Sequence, residues 1–137
     1  MFHCHPAEGQ MNRIHFNNRT AVITGAGHGL GRNYALFLGS RGAKVVVNDM
    51  GTSVEGIDRS REPAEKVARM IVERGGSAVA NFDSVAEPEG AQRIVEDALR
   101  NFGSLDILIN NAGILRDKAF INMSLEDFES VLQVHLM

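Results

Sequence analysis

Thr24–Gly31 reads TGAGHGLG, and its glycines at 25, 27, 29 and 31 decide how the chain is folded. The run lies between an apolar, β-branched stretch, Thr20–Thr24 (TAVIT), and a stretch of helical periodicity that opens at Leu30. A strand turning through glycines into a helix gathers free backbone N–H groups and the positive end of the helix dipole at one point, which suits an anion such as a pyrophosphate. Glycine lets backbone approach phosphate with no Cβ in the way and permits positive φ. The pattern G-x-G-x-x-G does not fit from Gly25, because position 30 is Leu30; Gly25-x-x-x-Gly29-x-Gly31 does. No Lys-Ser or Lys-Thr follows the last glycine, so the run is not a P-loop. Taken alone, such a cluster is also compatible with a tight structural turn.

Outward from this turn, strand-like and helix-like runs alternate. The strands are Thr20–Thr24, Lys44–Asn48 (KVVVN), Ser77–Phe82 (SAVANF) and Leu105–Asn110 (LDILIN). The second is a nearly continuous apolar run, as expected of a parallel strand buried on both faces. The first helix is expected to bury Leu30, Tyr34, Phe37 and Leu38 and to end at Gly42. The second starts around Pro63, buries Val67, Met70 and Ile71, and stops at Gly75-Gly76. The third starts near Pro88, buries Ala91, Ile94, Val95, Ala98 and Leu99, and ends at Gly103. The fourth opens on a capping-box-like Ser124-x-x-Asp127 and turns Leu125, Phe128, Val131, Leu132 and His135 inward. Such alternation implies right-handed βαβ units and an α/β, doubly wound parallel sheet of order 3-2-1-4, cut off after the fourth β-α unit.

The 137 residues suit one domain, read as residues 18–137 behind a flexible tail, 1–17, in which Met11 is an alternative start. The formal net charge is −3 and the 14 Lys and Arg are scattered, which leaves no footprint for nucleic acid or an acidic membrane. No apolar run reaches the length of a membrane span, and the opening MFHCHPAEGQ lacks a secretory apolar region. The single cysteine, Cys4, rules out an internal disulfide framework and fits a reducing compartment. His3-Cys4-His5 does not have the two-to-four-residue spacing usual for metal ligands, so no metal is expected.

Asp49 ends the second strand eighteen residues after Gly31, where a carboxylate can accept hydrogen bonds from the hydroxyls of an adenosine ribose. A carboxylate there repels a 2′-phosphate, which favours NAD over NADP. The bland alternative is that Asp49 only opens the loop DMGTSVEG. His28 is read as a solvated loop histidine, with a contact to phosphate as the alternative.

From Asn18 to Met137 the chain resembles the short-chain dehydrogenase/reductase family. The resemblance rests on Thr24-Gly25-x-x-x-Gly29-x-Gly31, on Asp83 after the third strand, and on Asn110-Asn111-Ala112-Gly113 after the fourth, all in family order. It implies that Asp83 contacts adenine and that Ser84-Val85 shape that pocket. It also implies that Asn110 and Asn111 pin the central strands, while Ala112-Gly113 let backbone pass close to the cofactor ribose. With Gly25, Gly27, His28, Gly29, Leu30, Gly31 and Asp49, these residues make up the expected cofactor set. The stretches VVVNDMG, AVANFDSV, NNAGILRDKAF and VHL look like the (3R)-hydroxyacyl-CoA dehydrogenase branch of peroxisomal multifunctional enzymes and their bacterial relatives. That likeness implies an acyl-CoA substrate, NAD as hydride acceptor, a homo-oligomer at full length, and a cytoplasmic protein, or a peroxisomal one in a eukaryote.

The family's chemistry uses a Ser, a Tyr with a Lys four residues later, and a relay Asn on the fourth helix. The single tyrosine here, Tyr34, is followed at that spacing by Leu38 and is expected to pack inside. No catalytic Ser, Tyr or Lys is therefore expected within the chain. His135 stands at the relay position; a packed, hydrogen-bonded role is favoured, with a relay role as the alternative. The expectation is the cofactor half of a dehydrogenase, poorly soluble and inactive by itself because its fourth strand forms an apolar sheet edge. The competing readings are a dinucleotide-binding module without chemistry and a non-functional fragment.

Overall fold

The computed structural model describes residues 14–51 and 60–136. His3-Cys4-His5, Met11, positions 52–59 and Met137 lie outside the described residues. In chain order the elements are β1 (Thr20–Ile23), α1 (Gly29–Ser40), β2 (Lys44–Asn48), α2 (Glu62–Glu73), β3 (Ser77–Asn81), α3 (Pro88–Phe102), β4 (Ile107–Ile109), a 3-10 turn (Phe120–Asn122) and α4 (Leu125–His135). The four strands are parallel and lie in the expected order, β3-β2-β1-β4. Ile23 sits opposite Val47 on one side and Ile109 on the other.

Strand periodicity divides the core. Ala21, Ile23, Val45 and Val47 point to one face and pack with Ala35 and Leu38 of α1 and Ala64, Val67, Ala68 and Ile71 of α2. Val22 and Val46 point to the other face, against Ile94 and Ala98 of α3. Both faces of β1 and β2 are covered, which is why their sequences are continuous apolar runs rather than alternating ones. Each fully buried Val or Ile contributes about 1.5–3 kcal/mol, and Val22, Ile23, Val45, Val46 and Val47 are all completely buried.

The punctuation largely matches its reading. Pro63 and Pro88 lie in the first turns of α2 and α3. Gly103 closes α3 with φ 82° and donates its N–H to Leu99 O at 2.9 Å. The Ser124 hydroxyl accepts the Asp127 N–H at 3.2 Å. Thr24 and Asn110 fall outside their strands, and β4 begins at Ile107 rather than Leu105. There Asp106 clips the strand ends together, donating its N–H to Thr20 O while its carboxylate accepts the Thr20 N–H, both at 2.9 Å.

The helix faces need correction. The buried side of α1 is Gly31, Ala35, Leu38 and Gly39, whereas Leu30, Tyr34 and Phe37 are 65%, 40% and 49% exposed. Small residues face inward because α1 lies close to its neighbours: a Cβ at Gly39 would stand 2.8 Å from Ile71 Cγ2. In α3 only Gly90, Ile94 and Ala98 are buried; Ala91, Val95 and Leu99 are exposed. In α4 no residue is buried: Val131 and Leu132 are half-buried, and Leu125, Phe128 and His135 are exposed. The N-terminal boundary also shifts. Phe16, assigned from sequence to the tail, packs against the α1–α2 core and donates its N–H to Arg41 O at 2.8 Å, and Arg41 Nη1 reaches Ile14 O at 3.1 Å.

Candidate functional site

A cavity of about 480 Å³ opens beyond the carboxyl ends of the strands, where ligands of such sheets bind. Its first wall is the glycine turn. Gly25 has φ 62° and Gly29 φ 53°, conformations that an L side chain adopts only under strain. A Cβ at Gly25 would stand 2.9 Å from Ala112 Cα, and one at Gly29 would enter open space. The α1 N-cap, His28, makes no side-chain cap bond, and no acidic residue lies in the first turn. The positive end of the helix is thus left for an anion.

The second wall is Asp49, whose position follows from β2. Its Oδ2 accepts the Gly27 N–H at 2.7 Å, and Oδ1 accepts the Gly51 N–H at 2.8 Å. One carboxylate therefore fixes the glycine turn and the following loop, and still has acceptor directions free. Gly27 must be glycine here, since its Cβ would stand 2.7 Å from Asp49 Oδ2 and 2.6 Å from Pro63 Cβ.

The third wall follows β3. Asn48 and Asn81 are register partners and each is only 2% exposed. Asn48 Nδ2 donates to Asn81 Oδ1 at 2.8 Å and to Asp83 O at 2.9 Å. Asn81 Nδ2 donates to Asp83 Oδ2 at 2.9 Å and to Asp97 Oδ2 at 2.6 Å, and its Oδ1 also accepts the Asp83 N–H at 2.9 Å. Arg93 Nε of α3 donates to Asp83 Oδ1 at 2.5 Å.

The fourth wall follows β4. Thr24 Oγ1 accepts the N–H groups of Asn111 and Ala112, each at 3.0 Å. Asn111 Nδ2 returns bonds to Thr24 O at 2.9 Å and Gly25 O at 3.0 Å. Asn111 thus pins the end of β4 to the glycine turn. Asn110 makes no such bond among the described residues and lines a neighbouring cleft instead. His135 is not a core histidine: it is exposed, with Nε2 lying 3.2 Å from Ile114 N and 3.1 Å from Ile114 O. Gly113 makes room for that ring, because its Cβ would stand 2.7 Å from His135 Cε1. Arg116 closes the wall, its Nε 3.5 Å from Asp127 Oδ1. Bonds from Lys118 and Ser124 hold the Asp127 carboxyl below the usual carboxylate range.

Of the expected residues, Gly25, His28, Gly29, Asp49, Asp83, Ser84, Val85, Asn111, Ala112 and Gly113 line the cavity. Gly27 and Gly31 are buried behind the turn, where a Cβ at Gly31 would stand 2.5 Å from Asn111 Nδ2. Leu30 points away into solvent. Lining residues that the sequence reading did not single out are Asn48, Met50, Ala86, Ile114, Arg116 and Val134. A signal for Asn48 existed: KVVVN and SAVAN each end an apolar strand on asparagine, and in neighbouring strands such a pair meets. Among the described residues no group of His, Cys, Asp and Glu is placed to hold a metal, and no helix is long and apolar enough to cross a membrane.

Residues 19–137 match the sequence profile of the short chain dehydrogenase family. A peroxisomal hydratase-dehydrogenase-epimerase of Neurospora crassa is 51% identical over 124 residues, 90% of this chain and 14% of that protein. Peroxisomal multifunctional enzyme type 2 of Mus musculus is 47% identical over 123 residues, 90% of this chain and 16% of that one. A short-chain type dehydrogenase/reductase of Mycobacterium tuberculosis is 50% identical over 119 residues, and the match spans 42% of its length. The crystal structure of a short chain dehydrogenase from Mycobacterium avium superposes with a TM-score of 0.79 at 42% identity, covering 88% of this chain and 41% of that one. The chain thus spans less than half the length of each of these relatives.

Proposed function

Because the chain belongs to the short chain dehydrogenase family, we propose that it supplies the NAD-binding half of an oxidoreductase acting between a hydroxyl and a keto group of a small-molecule substrate. The observation that carries this reading is Asp49, held by the Gly27 and Gly51 N–H groups at the wall of a cavity that a helix N-terminus also faces. A dinucleotide needs an anion cradle and a ribose acceptor close together, and the residues present fit both needs. Gly25, His28 and Gly29 would hold the pyrophosphate, with Gly27 and Gly31 shaping the turn behind them. Asp49 would take the adenosine ribose hydroxyls, and Asp83, Ser84 and Val85 the adenine. Asn111, Ala112 and Gly113 would border the second ribose. The bound nicotinamide supplies hydride transfer; the protein's part is to bind, orient and exclude water.

The substrate we propose is a 3-hydroxyacyl-CoA thioester, which rests on the likeness to the hydroxyacyl-CoA branch. His135 is proposed as the residue that fixes the backbone of Ile114 at the cavity wall, in place of a relay Asn. We place the protein in the cytoplasm, or in the peroxisome of a eukaryote, as a homo-oligomer.

The test is a fluorescence titration of the native chain with NADH and NADPH, followed by an assay with 3-hydroxyacyl-CoA and NAD. Saturable binding with NADH at least about tenfold tighter is expected, one such factor corresponding to about 1.4 kcal/mol. A chain that binds neither dinucleotide refutes the reading. Tight binding without turnover is the result expected of this chain by itself, which is read as carrying no catalytic Ser, Tyr or Lys; turnover of the thioester by the 137-residue chain would overturn that reading.

A further inference from the structure

Asp83 is held by more than its place at the end of β3. Its two carboxylate oxygens are taken by different elements: Oδ1 by Arg93 of α3 at 2.5 Å, Oδ2 by the Asn81 amide at 2.9 Å. Its backbone is held as well, with the N–H on Asn81 Oδ1 and the carbonyl on Asn48 Nδ2, both at 2.9 Å. Asn81 uses both amide hydrogens and accepts twice, so it can turn over only by breaking four bonds. An ionised carboxylate offers about four acceptor directions. Arg93 and Asn81 occupy one direction on each oxygen, leaving others for a donor in the cavity that Asp83 lines.

We propose that Arg93 and Asn81 are positioning residues for base selectivity: together they hold Asp83 as an oriented acceptor that takes the exocyclic amine of adenine and turns away a base carrying a carbonyl there. The inference rests on the dinucleotide reading of the cavity and adds to it the residues that make the carboxylate selective. The geometry favours this role over a structural one for Arg93. Its side chain is 52% exposed, and an exposed ion pair adds little to stability, so a stability role would be weak. Its two ends do join α3 to the residue at the cavity wall. The Asn81 amide is the inner half of the same clamp. It ties Asp83 to Asp97 on one side and to Asn48, the residue before Asp49, on the other.

The test compares NAD with nicotinamide hypoxanthine dinucleotide, in which a carbonyl replaces the adenine amine, by calorimetric titration of the full native chain and its variants. Nicotinamide mononucleotide serves as a ligand that does not reach Asp83. The native chain is expected to favour NAD by about tenfold or more, the span of one hydrogen bond to a charged group. Arg93→Leu should lower that ratio several-fold, Arg93→Lys should restore most of it, and mononucleotide affinity should stay unchanged in both. Asn81→Ser should lower the ratio further. If it also unfolds the chain, the exposed Arg93 variants still decide. An unchanged ratio in Arg93→Leu overturns the proposal, as does a native chain that binds both dinucleotides equally; in both cases the cofactor reading survives. A chain that binds no dinucleotide removes the reading and the proposal together.

Discussion

Thr24→Val is the substitution that tests how the cavity is assembled. Valine keeps the shape and the β-branch of threonine but removes Oγ1, the acceptor for the N–H groups of Asn111 and Ala112 at 3.0 Å each. Thr24 is 4% exposed, so a valine there would leave little room for water to replace the lost acceptor. An unsatisfied buried donor costs about 1–3 kcal/mol. Because Asn111 and Ala112 are themselves only half-buried, the lower part of that range applies to each, and the pair should cost about 2–3 kcal/mol. For a domain of this size each kcal/mol lowers Tm by about 3–5 °C, so the variant should melt about 6–15 °C lower. Thr24→Ser is the control: it keeps the hydroxyl and loses one buried methyl, about 1 kcal/mol. Urea denaturation of the three proteins at one pH measures the differences directly. NADH affinity should fall in the same order, since Asn111 and Ala112 line the cavity. If Thr24→Val lies within about 0.5 kcal/mol of Thr24→Ser, the hydroxyl is not the joint between β1 and β4, and the reasoning fails; that margin is the ordinary scatter of a neutral substitution.

Asp49→Ala should weaken NADH about tenfold or more and NADPH much less, since it removes a charge-assisted acceptor and relieves repulsion of a 2′-phosphate; equal losses for both would argue that Asp49 only braces the loop. Gly113→Ala brings a Cβ to 2.7 Å from His135 Cε1 and should cost about 1–3 kcal/mol, and His135→Ala added to it should recover most of that loss; additive losses would deny the contact. Asp106 has its pKa lowered to about 2, chiefly by the Thr20 N–H and then by Arg19 and Ser104. A depressed carboxylate stabilises the fold above its unfolded value of 3.8 and loses that contribution as pH falls toward 2. Asp106→Asn should therefore flatten the acid limb of stability between about pH 4 and 2, which NMR titration and acid denaturation can check together. At the β4 edge Leu108 is 53% exposed, and Leu108→Lys should raise the solubility of the 137-residue chain without changing its circular dichroism; unchanged solubility would show that the edge does not drive association.

What could be read from the residues divides along physical lines. Backbone-determined features were legible. The glycine turn, the parallel order β3-β2-β1-β4, the proline starts of α2 and α3 and the Ser124 cap follow from φ preferences, strand periodicity and capping chemistry, which act over a few residues. That Asp49 and Asn111 stand at the cavity wall was legible because each sits at a fixed offset from a strand end. Roles that depend on what lies across the sheet were not. Thr24 as a hub, Asn48 with Asn81, and Arg93 on Asp83 join residues far apart in sequence, and no local pattern announces such bonds. His135 shows the same limit: an apolar helix face suggested a core residue, whereas the ring reaches the Ile114 backbone from an exposed position.

The misread helix faces share one cause. Hydrophobic periodicity reports that a stripe favours cover; it does not report which neighbour supplies it. α2 contacts α1, β2 and β3, and two of its expected inward residues, Val67 and Ile71, are buried while Met70 is half-buried. On α1, glycine and alanine take the place against Ile71, and the larger Leu30, Tyr34 and Phe37 are left on the outer side. On α3 and β4, Val95 and Leu108 line a cleft of about 320 Å³ that Asn110, His135 and Leu136 also border. This cleft adjoins the free edge of β4, whose only strand partner among the described residues is β1. A parallel strand with an apolar residue 53% exposed at a free edge is the reverse of the arrangement in which parallel sheets are stable, with both faces and both neighbours covered. Leu108 of β4, Ala91 and Val95 of α3 and Leu136 just past α4 therefore border one cleft, and it adjoins the glycine-turn cavity through Val85, Ala112 and Val134, which line both. Cover laid over that cleft would bear on Ala112 and Val134 of the cavity wall as well, so cover of the β4 flank and dinucleotide affinity should change together.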